Sequence, residues 1–112
     1  MANDFHVMMH SIQEITKDLG FGPMGQVQRF VDSQLAKGMD KYVPFDTGSL
    51  KNSVQKSHFG SGKLIYDTPY AKYQYQHGRD NKLRGALWNE RFAAREGRHF
   101  VSLVQNYVRK IK

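Results

Sequence analysis

Apolar side chains recur at helical spacing over two long stretches of the chain and in strand-like runs over three short ones. Val27, Phe30, Val31, Leu35, Met39 and Tyr42 mostly fall three or four residues apart, the spacing that stacks side chains on one helix face. Pro23 suits the first turn of that helix. Pro44 ends it by confining Val43 to extended geometry. Gly38, inside the pattern, weakens it by up to about 1 kcal/mol relative to alanine. From Ala86 the pattern is helical again, broken at Gly97, with Phe100, Val104, Tyr107, Val108 and Ile111 on one face of a terminal helix.

The short runs predict strands. Phe5 to Met9 reads as a first strand, ahead of Ser11-Ile12-Gln13-Glu14, whose serine and glutamate form a capping box. Ile12, Ile15 and Leu19 then make a short helix that Gly20 stops. Val54 to Phe59 and Leu64 to Tyr66 flank Gly60-Ser61-Gly62-Lys63 and predict a β-hairpin. Residues 79–85 are polar and charged, a flexible loop. The expected architecture is α+β over a single domain, residues 1–112: a small antiparallel β-sheet packed with a central helix and a C-terminal helix.

Composition narrows the class. The 112 residues suit one domain with one core. No stretch approaches the roughly 20 apolar residues of a membrane span, and the first residues lack the basic start and apolar run of a signal peptide. With no cysteine there is neither a disulfide framework nor thiolate chemistry, which suits folding in a cytosol. The net charge of +7 is unevenly placed: residues 1–40 carry −2 and residues 41–112 carry +9. That asymmetry fits nucleic-acid contact, an acidic neighbour, head-to-tail self-association, or a merely solvated basic face.

Candidate chemistry is thin. Asp46-Thr47-Gly48 matches the active-site triplet of aspartic proteases, and one copy per chain would require a symmetric dimer to pair two carboxylates. Those enzymes are all-β, whereas helical patterns flank the triplet here, so a turn or cap is the stronger reading. His6 and His10 stand four apart without a third ligand at metal spacing, and His77 is explained as well by packing as by catalysis. Gly60-Ser61-Gly62-Lys63 lacks the phosphate-loop spacing, and Gly20-Phe21-Gly22 lacks the dinucleotide fingerprint. Neither catalytic, cofactor-binding nor metal-ligating residues are expected.

Two surfaces remain. Tyr42, Phe45, Leu50, Tyr66, Tyr70, Tyr73, Tyr75 and Trp88 are candidates for an interface or for the core. Arg79, Lys82, Arg84, Arg91, Arg95 and Arg98 form a basic cluster suited to DNA or to an acidic partner, relieved by Asp80, Glu90 and Glu96. A small basic nucleic-acid-binding or nuclease-like protein is the alternative these charges support.

Four segments in order, "LGFGPMGQVQRFVDSQL" (19–35), "YVPFDTGSLKNSV" (42–54), "GKLIYDTPYAKYQYQHG" (62–78) and "LWNERFAAREG" (87–97), resemble the small minor capsid proteins of the head–tail joining region of long-tailed bacteriophages. Asn89, after the tryptophan, and His77, near a usual tyrosine, depart from that pattern. The resemblance implies a non-enzymatic virion component made in the host cytoplasm. It implies a neck, connector or tail-completion protein that forms a six- or twelve-fold ring between portal and tail. Partners would be connector, head-closure or tail-terminator proteins, with non-specific DNA contact through some of the arginines and no membrane.

Overall fold

A computed structural model describes residues 4–44, 49–54, 57, 59–66, 71–80 and 82–111. Its elements are α1 (Asp4–Thr16), α2 (Phe21–Met39) with a 3-10 turn over Asp40–Tyr42, α3 (Ser49–Ser53), α4 (Ala71–His77) and α5 (Trp88–Ile111). Among the described residues there is no strand and no sheet. The expected α+β fold is therefore corrected to a helical one.

Each expected strand fails for a physical reason. Phe5 to Met9 is too short a run to separate the two periodicities. Extended downstream, Met8, Ile12 and Thr16 recur every four residues and are all buried, so the segment is the first half of α1. Ser11 consequently caps nothing: it lies mid-helix, and its hydroxyl donates to the Val7 carbonyl at 3.2 Å. The hairpin fails because a different partner takes the loop. Gly60 and Gly62 adopt φ of +107° and +82°, and their amides donate to Oδ2 of Asp32 at 2.8 and 2.9 Å. The backbone donors turn inward on a carboxylate of α2 instead of pairing with one another. Beyond the loop, Ser57 holds Ile65 through its side chain, the Ile65 amide donating to Oγ at 2.8 Å.

The proline readings hold. Pro23 lies in the first turn of α2, and Val43 is extended (φ −75°, ψ 134°) just before Pro44. Gly97, however, does not break the terminal helix. It is buried within α5, and Met8 of α1 packs over it, with Sδ 3.7 Å from where a Cβ would stand.

Helix α5 is the axis of the molecule. The Phe5 amide, in the first turn of α1, donates to Oε1 of Glu90 at 3.1 Å, while Met8 lies over Gly97; α1 therefore runs parallel to α5. On the other flank Phe30 stacks on Tyr107 (4.0 Å, 7°) and Gly38 abuts Phe92, so α2 runs antiparallel. Both helices pack chiefly on α5, giving a flat body of 42 × 30 × 19 Å. Trp88, Phe92, Ala93, Phe100, Val104 and Val108 of α5 meet Met8 and Ile12 from one flank and Val27, Val31, Leu35 and Met39 from the other in one core.

Candidate functional site

The sequence-selected aromatic residues divide by depth. Trp88 is buried at the start of α5, with Tyr66 (5.2 Å, 66°) and Tyr75 (4.9 Å, 87°) edge-on to its indole. The Tyr75 hydroxyl donates to Oδ1 of Asn89 at 2.6 Å, and the Leu87 amide donates to the Tyr75 carbonyl at 2.8 Å, which fastens α4 to α5. Burial and the Glu90 charge push the Tyr75 phenol upward. Burial, then the Asp40 charge, does the same to Tyr66, whose hydroxyl is enclosed without a hydrogen-bond partner. Leu50 on α3 is buried. Tyr73 is 62% exposed and faces outward beside His77, with ring centroids 5.1 Å apart. Phe45 and Tyr70 lie outside the described residues, as does the Asp46-Thr47-Gly48 triplet.

Tyr42 is buried edge-on against Phe92 (6.1 Å, 78°), and its hydroxyl donates to the Glu96 carboxylate, which also meets Lys41 Nζ at 2.8 Å. Burial, then the hydrogen bond and charge of Glu96, push the Tyr42 phenol up to about 12. For Glu96, burial acts upward but is outweighed by the Lys41 and Tyr42 hydrogen bonds and by the charges of Lys41 and His99, so its carboxyl is lowered.

The basic cluster also divides. Arg84 Nη1 donates to the Asp40 and Val43 carbonyls, 2.8 Å each, closing the end of the 3-10 turn. Arg91 donates through Nε to the Ala86 carbonyl at 2.5 Å and through Nη2 to Asp80 at 2.6 Å. With the Gly85 amide donating to the Tyr42 carbonyl at 3.1 Å, these contacts tie the 79–85 segment to the body, where polarity alone predicted a flexible loop. Arg79 and Lys82 are exposed on that segment. Arg95 and Arg98 are exposed on α5 and, among the described residues, form no ion pair.

Arg95 and Arg98 line one wall of an open groove of about 640 Å³ between α1 and α5. Small residues, Ser11, Ala93, Ala94 and Gly97, widen it; Val7, which is 63% exposed, and Val101 give it apolar surface. No such opening was legible beforehand, because the first run read as a strand. Asp32 was likewise missed: a buried carboxylate on the apolar face of α2, held by Gln28 and by the Gly60 and Gly62 amides. Its signal was present, an acid beside Val31 and four residues before Ala36 on a core-facing stretch. The glycine loop does cradle an anion, one that the chain itself supplies.

Chemically this arrangement offers surfaces. Among the described residues no group of three or more His, Cys, Asp or Glu is placed to hold a metal ion. His6 and His10 are both exposed on α1. Asp32 and Glu96 are occupied in fastening loop and turn. No described helix is long and apolar enough to cross a membrane.

The body is helical, and among the described residues one carboxylate, Asp32, is buried, while Asp4, Glu14, Asp18 and Asp80 are exposed along with most of the cations. The family model for minor capsid proteins matches residues 6–96, and the chain belongs to that family. It is thus a structural protein of a bacteriophage virion. No curated protein and no solved structure matches it significantly.

Proposed function

We propose that this chain is a neck component of the virion, a head–tail connector or tail-completion protein that forms a ring around the DNA channel between portal and tail. The family match over residues 6–96 carries the reading. Its mode of action is assembly, without catalysis. Two unlike surfaces support a heterologous contact, the kind that closes into a ring when the rotation permits. One is the α1–α5 groove with Val7 and Val101; the other carries the exposed Tyr73 of α4. Neighbouring connector, head-closure or tail-terminator proteins take the two ring faces.

Native mass spectrometry of the purified chain and electron microscopy of virions with the chain labelled test this. The expected result is a closed oligomer and label at the neck vertex. A chain that stays monomeric at all concentrations and is absent from virions overturns the reading.

A further inference from the structure

We propose that the outward stripe of α5, formed by Arg95, Arg98, His99, Arg109 and Lys110, binds the phosphate backbone of double-stranded DNA without regard to sequence. All five side chains are exposed, and they recur along one side of a single helix. Between Arg95 and Lys110 the helix rises about 22 Å, enough to pass several phosphates of each strand.

The absence of compensation on this face is the main argument. Only two acids lie on α5: Glu90 accepts the Phe5 amide, and Glu96 accepts Tyr42 and Lys41 and feels the His99 charge, so Arg95, Arg98, Arg109 and Lys110 form no ion pair with either among the described residues. Asp4, across the groove, pairs with neither arginine among the described residues. Like charges three or four residues apart weaken a helix slightly, so the stripe opposes the fold's own stability until an anion meets it. The face is also of one chemical kind. Ser102, Gln105 and Asn106, the exposed residues between the cations, are short or flexible hydrogen-bonding side chains of the sort that contact phosphates. The exposed positions from Arg95 to Lys110 carry no aromatic or large apolar anchor, which a protein interface would use. DNA fits this face better than an acidic protein does.

This surface takes only Arg95 and Arg98 from the basic cluster at 79–98. Arg84 and Arg91 are committed to backbone carbonyls, whereas Arg109 and Lys110 lie well beyond that cluster. It also holds whatever the chain's place in the virion, because it is read on the purified protein.

Fluorescence anisotropy with two fluorescein-labelled 30-base-pair duplexes of unrelated sequence provides the test. The two duplexes should bind alike and lose about 100-fold in affinity between 50 and 200 mM salt, the slope of roughly four neutralised phosphates. Arg109→Gln with Lys110→Gln, both clear of the α1–α5 groove, should lower the log–log slope by about 1.8, roughly 0.9 per contact. Arg79→Gln with Lys82→Gln should leave it unchanged. Unaltered Trp88 fluorescence and urea midpoints show that the variants fold. No binding at 50 mM salt, an equal loss in the 79/82 variant, or tighter binding to polyglutamate than to DNA overturns the proposal. Native mass spectrometry on the same variants keeps assembly separate, since a ring that persists while DNA binding falls leaves the neck reading intact.

Discussion

Arg84, Arg91, Arg95 and Arg98 lie within fifteen positions, yet the fold gives them two different employments. Arg84 and Arg91 sit where the 79–86 segment crosses the start of α5, and each donates to main-chain carbonyls. Arg95 and Arg98 stand one and two turns further along, on the wall of the groove beside α1, and they are exposed. The same division separates the α2 flank, with its held loop and buried Asp32, from the α1 flank, with its open groove and exposed Val7. A charge run in sequence is therefore no measure of a charged surface. What decides is whether unmet carbonyls lie within reach of the guanidinium.

The sharpest test of the difference is Arg84→Ala. It removes a charged donor from two carbonyls and should cost about 2–4 kcal/mol, read as a lower urea midpoint by fluorescence of the single, buried Trp88. Arg84→Lys should recover less than half, because the rigid guanidinium aims both N–H bonds of Nη1 at the two carbonyls, whereas an ammonium sits on a flexible stem. A loss below 0.5 kcal/mol would erase the distinction between the two pairs.

Next in size is a glycine pair that contrasts the two flanks of α5. A Cβ on Gly38 would stand 2.5 Å from Cε1 of Phe92, whereas one on Gly97 would meet Met8 at an ordinary 3.7 Å. Gly38→Ala should destabilise by about 1–3 kcal/mol through overpacking, against its better helix propensity. Gly97→Ala should stabilise by up to about 1 kcal/mol. Thermal melts of both variants check the opposite signs.

The α2 flank also carries a pH signature. Tyr42 has its phenol raised to about 12 in the fold, so its contribution is complete below about pH 10 and is lost as pH climbs toward 12. Glu96 has its carboxyl lowered, so its contribution is present above the unfolded value of about 4.3 and is lost as pH falls through the folded value. Urea midpoints across pH should show a plateau between those limbs. Tyr42→Phe should make the alkaline limb shallower, with Tyr66 and Tyr75 supplying the remainder, and Glu96→Gln should do the same to the acid limb; unchanged limbs would contradict the assignment.

The smallest expected change is in Arg95→Ala and Arg98→Ala, whose melting should stay within about 0.5 kcal/mol of the parent, as for surface positions without partners. A larger loss would mean that these side chains too are committed to the fold.

The long amphipathic segments were readable because their own periodicity decides them. Val27, Val31, Leu35 and Met39 occupy the buried face of α2 that their spacing predicts, and Phe100, Val104 and Val108 do the same in α5. The short runs were not readable locally. Residues 5–9 are helical because Met8 meets Gly97 across most of the chain's length. The 57–66 segment turns on Asp32, roughly thirty residues away, and no nearest-neighbour rule contains that acid. Gly97 misled for a related reason: a glycine that would weaken an isolated helix is tolerated where a neighbouring helix covers it. Among the candidate site residues, sequence identified the arginines by type, but their division depended on where the carbonyls of residues 40, 43 and 86 came to lie.

The parallel pairing of α1 with α5 also sets a schedule. Helix α1 leaves the ribosome well before the α5 residues it must cover. At roughly 5–20 residues per second, Met8 and Ile12 wait several seconds for α5 to be made. The α1 flank can close only after α5 has been made, so a translation product interrupted before Trp88 would expose the Met8–Ile12 face. Any assembly that uses the α1–α5 groove would thereby draw only on chains that include α5, a form of quality control that the order of helices provides.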